Sequence, residues 1–320
     1  MRRTTRKRLR RLGVGLAFIS PWLVGFLALV AWPFAASLYW SFCRYDLIGP
    51  PEFIGWENYR RLADELIHGE RFGLAVWNTF YYAALSVPLS IVLALLLAVL
   101  LAQNVRGRAI YRTLLFLPSV VPTVSAAMLW FWLLDPRDGL VNYVLSWAGV
   151  PPQGWFGSVR EAANPSDWTG AAGRIFGSKD ALVLMSLWGV GNFMIIYLAA
   201  LGDVPRSLYE AAELDGAGPI RRFRHITLPM LSPVIFFNLV MGLIYSVQAF
   251  TQIYLVSEGQ GAPAGSTLVL SLHLFLTAFK EQEMGYASAM AWLLFVLVLA
   301  ATAALFRTSR HWVFYQGQLR

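Results

Sequence analysis

Six stretches of this 320-residue chain carry no Asp, Glu, Lys or Arg: Leu12–Cys43, Leu74–Asn104, Thr113–Leu134, Ala181–Leu201, Pro229–Ser257 and Ala287–Phe306. A bilayer core about 30 Å thick needs about 20 apolar residues per helix. In hydrocarbon every backbone N–H and C=O must be satisfied inside the protein. The chain is therefore expected to fold as an all-α, polytopic membrane helical bundle of about six transmembrane helices, in contact with membrane lipid. Composition agrees: 57% of residues are hydrophobic and 14% charged, against about 45–50% and about 25% in a soluble domain. Pro21, Pro33, Pro88, Pro118 and Pro122 lie within or near these runs, where neighbouring helices can satisfy the groups a proline frees.

A seventh apolar stretch, Thr267–Phe279, has 13 residues and contains His273; it is too short to span and is expected as a short external or interfacial helix. Basic residues then set the orientation. The N-terminus holds seven Lys and Arg, the Arg106–Arg112 loop three, the Arg206–Arg224 loop four and the C-terminus three, which together are 17 of the 26. The positive-inside rule places both termini in the cytoplasm. The resulting order is a basic N-terminus over 1–11, a first span over 12–43, an external segment over 44–73, a core over 74–306 with five spans, and a cytoplasmic tail over 307–320. A second external segment, Asp135–Asp180, holds the apolar Leu140–Trp147 and a region rich in Pro, Gly and Trp through Pro151, Pro152, Trp155 and Trp168. The external aromatics serve either a partner or the membrane interface.

Several function classes fall away. The excess of 26 Lys and Arg over 18 Asp and Glu forms no basic stripe interleaved with aromatics, so it reads as topology and not as nucleic-acid binding. Cys43 is alone and His68, His225, His273 and His311 are scattered, which points to no disulfide, no metal site and no catalytic residue. The apolar stretch after the basic start runs about 30 residues, twice a signal peptide's core, so an uncleaved span is expected. No G-x-x-x-x-G-K-[ST] is present, and the nearest fragment, Gly173–Lys179, places Ser178 between Gly and Lys. ATP phosphates have no cradle in such a chain. A membrane enzyme would have to draw on His273, Glu281 and Glu283, a scattered set. An ion-coupled secondary transporter commonly needs Asp, Glu, His or Arg at membrane depth, and the six runs contain none.

Between the fourth and fifth runs lies Asp203-Val204-Pro205-Arg206-Ser207-Leu208-Tyr209-Glu210-Ala211-Ala212-Glu213-Leu214-Asp215-Gly216-Ala217-Gly218-Pro219. It predicts a short helix over 206–217, capped by Ser207 with Glu210 reaching back as a capping box. Gly216 is placed to stop it in a left-handed conformation, with Gly218 and Pro219 preventing continuation. Small residues on one side of two or three turns fit a groove of another protein, and an ordinary loop helix would look the same.

Glu210-Ala211-Ala212, then Gly216 after three residues, then Ile226 after nine and Leu228-Pro229 after one resembles the EAA signature of binding-protein-dependent ABC importer permeases. Leu214-Asp215-Gly216-Ala217, Arg112–Pro118 and Gly285-Tyr286-Ala287 resemble the carbohydrate branch of that family, its maltose-permease type in particular. The likeness runs from about Trp22 to Tyr315 and departs over Pro151–Ser178, which is longer than the family's second external loop. The resemblance implies a sugar or polyol importer in the bacterial inner membrane. This chain would be one permease half, paired with a second related permease, two ATPase subunits that bind ATP and Mg, and an extracytoplasmic solute-binding protein. Glu210, Ala211, Ala212, Asp215, Gly216, Ile226, Leu228 and Pro229 would dock the ATPase, so this chain would be no enzyme itself.

Neutral sugars are held by amides, hydroxyls and aromatic faces. Trp188, Gly191 and Asn192 lie midway in the fourth run; Gln248, Thr251 and Gln252 lie in the fifth, spaced to share one helix face. Such a face lines a cavity or bonds to another helix. The family's sugar contacts fall in these two spans, whereas Asn78, Asn238 and Gln103 are expected as packing groups or end caps.

Overall fold

The computed structural model describes residues 2–103, 106–156, 177–262 and 265–314, with side chains from residue 13 onward. Trp168 and most of the Gly173–Lys179 fragment lie outside the described residues. The first span is one helix over Gly13–Ser41, built from α1 (Arg2–Phe26), a π-helical turn at Leu27–Ala31 and α2 (Trp32–Ser41). The wide turn stands directly before Pro33. Pro33 has no N–H to donate, and in the turn before it the Trp32 N–H reaches the Leu27 carbonyl. Phe18 is 83% exposed and Leu29 78%, as suits a helix surrounded by acyl chains.

A short antiparallel pair follows, β1 (Cys43–Arg44) and β2 (Glu52–Phe53), with Cys43 opposite Phe53. Asp46 builds the turn between them. Backbone N–H groups of Gly49 and Ile48 donate to its carboxylate at 2.9 and 3.1 Å, which holds its pKa below the usual range. Next come α3 (Glu57–His68), α4 (Arg71–Ala102), α5 (Arg108–Phe116) and, after a 3-10 turn at Leu117–Val120, α6 (Thr123–Leu133). The chain continues through α7 (Leu140–Trp147), α8 (Ser178–Trp188), α9 (Gly191–Gly202), α10 (Arg206–Leu214) and α11 (Pro219–Arg222). It ends with α12 (Leu228–Val247), α13 (Thr251–Val256), α14 (Leu270–Phe275) and α15 (Met284–Ser309).

Six crossings emerge when each of two bent helix pairs is counted as one span. A continuous third span was the expectation; the structure instead bends it by 99° between Val120 and Thr123. Pro122 causes this, because the residue before a proline is driven out of the helical region, and Val121 is extended with φ −67° and ψ 130°. The fourth span bends by 45° between Trp188 and Gly191. The stretch after Thr267 is helical over Leu270–Lys280, too short to cross. Leu270, Leu272, Leu276 and Thr277 on it are buried, and Phe279 near its end is 60% exposed.

The chain divides into two compact units, Met1–Asp64 with Leu274–Leu293, and Glu65–His273 with Leu294–Arg320. In the first, Asn58 donates to the carbonyls of Ser41 and Cys43, both at 2.9 Å, and fixes the start of α3 against the end of α2. Arg61 bonds Glu283 at 2.6 Å and lies 3.9 Å above the Tyr286 ring. Gly285 N–H donates to the Tyr45 carbonyl at 3.0 Å.

In the second unit α4 is the central helix and packs against α8, α9 and α12. Its buried positions include Ala83, Ser86, Val87, Ser90, Ile91, Ala94, Leu95 and Ala98, a stripe at helical spacing in which Ser86, Ser90, Ala94 and Ala98 recur every fourth residue. Small residues at this spacing let helix backbones approach closely in lipid. Asn78 donates to the carbonyls of Gly265 and Leu268 at 2.8 and 2.9 Å, and the Thr79 hydroxyl accepts the Leu270 N–H at 2.8 Å. These bonds pin the chain before α14 to α4, so Asn78 is a packing group. Gln103 caps the end of α4.

Gly191 opens α9 where it meets α5. A Cβ there would stand 2.7 Å from the Leu115 carbonyl oxygen and 2.9 Å from Phe116 Cα. Gly191→Ala is expected to lower the melting temperature of the detergent-solubilised chain, overpacking costing about 1–3 kcal/mol. Gly202→Ala, where a Cβ meets nothing within 4 Å, is expected to leave melting unchanged. Equal melting of both variants would remove the close approach from the account.

Candidate functional site

The helix between the fourth and fifth spans begins at Arg206, with Pro205 as its N-cap and no capping side chain. The expected box at Ser207 and Glu210 is absent. Pro205 is extended, at φ −59° and ψ 126°, and starts the helix before Ser207, which becomes its second residue. The other end follows expectation closely. Gly216 has φ +73°; its N–H reaches the Glu213 carbonyl at 3.0 Å and Ala217 N–H reaches that of Ala212 at 2.8 Å, the two bonds of a Schellman stop.

Glu210, Ala211, Asp215 and Gly216 are exposed and Ala212 is half-buried. Leu214 is 91% and Ile220 82% exposed, an apolar rim beside the Glu-Ala-Ala face. Ile226 lies in a second π-helical turn, Phe223–Thr227, and Leu228 and Pro229 open α12. Those three therefore belong to the helix returning into the bilayer, and α11, the turn and α12 follow one another without a gap. Two side-chain contacts join α10 to this helix: the Tyr209 hydroxyl meets Thr227 Oγ1 at 2.9 Å, and Arg222 pairs with Glu213. Sequence reasoning missed these four residues. The contacts bridge 18 and 9 positions, and no helical spacing signals such a pair.

A groove of about 690 Å³ lies in the second unit. Ser86 and Ser90 of α4, Ser186 of α8, Asn192 of α9 and Tyr245 and Ser246 of α12 line it with apolar side chains, and no charged residue does so among the described residues. Of the six residues expected on a substrate path, Asn192 lies on this groove. Trp188 packs edge-on against Trp130 at 6.1 Å, and Gly191 serves the approach to α5. Gln248, Thr251 and Gln252 do not share a helix face. The helix breaks there: Gln248 ends α12 with φ −94° and ψ 6°, Phe250 has φ −132°, and α13 restarts at Thr251. Ser271 Oγ donates to the Ala249 carbonyl at 2.5 Å, which satisfies an acceptor the break exposes. Gln248 and Thr251 are exposed at the break and Gln252 is half-buried. The groove's serines were legible as Ser86 and Ser90, four residues apart in a charge-free run.

Residues 75–311 match the family described as binding-protein-dependent transport system inner membrane component. The chain is 41% identical over 307 residues to the probable ABC transporter permease protein YesP of Bacillus subtilis (strain 168), covering 95% of this chain and 93% of that one. It is 31% identical over 310 residues to the trehalose/maltose transport system permease protein MalF of Thermococcus litoralis, covering 96% and 97%. A chain from the crystal structure of a bacterial ABC transporter that imports alginate superposes with a TM-score of 0.77 at 24% identity, over 96% of this chain and 98% of that one. With its spans, its Glu-Ala-Ala helix and this match over most of its length, the chain belongs to the inner membrane components of binding-protein-dependent transport systems.

Proposed function

We propose that this chain is one of two permease halves of an ATP-driven importer of neutral sugars or polyols in the bacterial inner membrane, with both termini in the cytoplasm. The observation that carries the proposal is α10. It is sharply stopped, exposes Glu210 and Ala211 beside Leu214 and Ile220, and is tied to α12 through Tyr209 and Thr227. A rigid helix with a small-residue face and an apolar rim suits a groove in a partner. Two ATPase subunits, holding ATP and Mg, are the partners that fit it. Glu210, Ala211, Ala212, Asp215 and Gly216 would sit in the groove, while Ile226, Leu228 and Pro229 carry the push into α12. A second related permease would close the groove of this chain, and a solute-binding protein would deliver cargo from outside. ATP-driven closure of the ATPase pair would then rock the two halves between inward-open and outward-open states, a population shift biased by nucleotide.

The uncharged groove supports a neutral cargo, because hydroxyls, an amide and aromatic edges suit sugar hydroxyls. The MalF relative, described as serving trehalose and maltose, fits the same reading. Asn192 would contact cargo directly; Gln248, Thr251 and Gln252, at the break between α12 and α13, would line the path further along, and Trp188 and Gly191 would hold its wall.

Glu210→Lys reverses charge on the docking face, and Gly216→Asp places a side chain at the left-handed stop. Both variants are expected to insert normally and to lose uptake and ATPase co-purification; normal uptake with both would overturn the docking role. Asn192→Leu is expected to reduce uptake per assembled complex while detergent melting stays within about 0.5 kcal/mol, the range of a surface change. A matching fall in melting would make Asn192 a packing residue instead. For orientation, reporters fused after Arg320 and inserted near Pro152 should report opposite compartments, and a shared compartment would refute six crossings.

A further inference from the structure

Beneath α10 lies a second cavity, of about 470 Å³, between the ends of α4 and α9, the start of α5, α10 and α11. Three arginines line it, Arg108, Arg206 and Arg222, together with Gln103, Tyr209 and Thr227, and among the described residues no Asp or Glu does. Arg222 is compensated by Glu213, which sits outside the cavity. Arg108 and Arg206 have no carboxylate partner among the described residues, and the Arg108 Nε is buried with no acceptor. A buried donor left unmade is unfavourable, the more so when it is charged. Guanidinium groups gathered in one pocket match an anion with several oxygens, phosphate above all.

The cavity's place narrows the source of that phosphate. It lies where two charge-free spans end, the depth of phospholipid headgroups, and basic pockets between transmembrane helices at that level hold anionic lipid. The remaining walls are apolar side chains such as Leu198 and Leu201, suited to the glycerol and first methylenes of a lipid. We propose that this cavity binds the phosphate of an anionic phospholipid headgroup through Arg108 and Arg206, and that the bound lipid braces α10 against the end of α4. The cargo in the groove and the identity of the ATPase have no bearing on this site.

The test uses the full chain, delipidated in detergent, as wild type, Arg108→Gln, Arg206→Gln and Arg307→Gln. Each is exposed to phosphatidylglycerol, to phosphatidylcholine of the same acyl chains, or to inorganic phosphate without lipid. Retained lipid is counted by native mass spectrometry and melting is followed in parallel. Wild type and Arg307→Gln are expected to retain phosphatidylglycerol in preference to phosphatidylcholine and to melt higher with it. Arg108→Gln and Arg206→Gln should each weaken retention about tenfold, the loss of one charge-assisted contact. Equal stabilisation by inorganic phosphate alone, abolished in the same two variants, would assign the site to free phosphate and overturn the lipid as source. Equal phosphatidylglycerol retention by wild type and both variants would overturn the site. Should the Gln variants fail to fold, wild type decides: no preference for phosphatidylglycerol over phosphatidylcholine would end the proposal, and a preference that Arg108→Lys weakens would support it.

Discussion

The close approach of α9 and α12 to α4 is the constraint on which the second unit depends. Lipid chains are as apolar as leucine, so helices in a bilayer gain little from hiding apolar surface from one another and associate by close packing instead. The stripe of Ser86, Ser90, Ala94 and Ala98 supplies that surface. Its partners are fitted to it: Met194 and Tyr197 of α9 and Leu231 of α12 are buried in the same cluster, and a Cβ on Gly242 of α12 would come within 3.2 Å of Val87 Cγ1. The stripe also sets where the groove lies. Ser86 and Ser90 are buried on α4 and also line the groove, so packing and path share residues.

A push on α10, as proposed, would reach this packed core through a short, stiff route. The Schellman stop fixes where α10 ends, Tyr209 and Glu213 fasten it to the returning helix, and no loop intervenes between α11 and α12 to absorb displacement. The π-helical turn at Phe223–Thr227 stands directly before Pro229, as the turn at Leu27–Ala31 stands before Pro33. In each, the wide turn carries the backbone bond past a residue that cannot donate. The route ends in α12, where Ser232 Oγ accepts the Phe314 N–H at 2.8 Å and ties the C-terminal segment to the same helix.

Charge-free length was enough to find the spans, since hydrocarbon admits few alternatives to a helix. It was silent on bends. Pro122 was legible as a residue, but not every proline in a span bends it: α4 runs unbroken through Pro88, whereas Val121 before Pro122 is extended and the span turns by 99° there. Gly216 was legible because a left-handed stop is a local demand that few residues meet. Ser207 misled for the complementary reason: several residues can open a helix, and Pro205 did so first. The face drawn through Gln248, Thr251 and Gln252 assumed an unbroken helix, whereas Ser271, 22 residues beyond Ala249, satisfies the break. A bond across that distance has no signature in a periodic pattern.

The two candidate sites constrain each other through charge. None of the six spans carries Asp, Glu, Lys or Arg, so a moving ion would find no ionisable ligand within them, and coupling to an ion gradient ordinarily needs one. The same absence keeps the groove free of formal charge among the described residues, so the neutral cargo proposed for it would meet no fixed charge to desolvate. α10 is the exposed element fastened to a groove-lining helix. The arginines cluster beneath that element, outside the hydrocarbon, where their charge leaves the groove unaffected. On the proposed reading, in which a partner drives α10, the charge-free path and the driven surface helix suit one another. Placing a carboxylate in the groove would hinder neutral cargo and still leave the chain without a route for an ion.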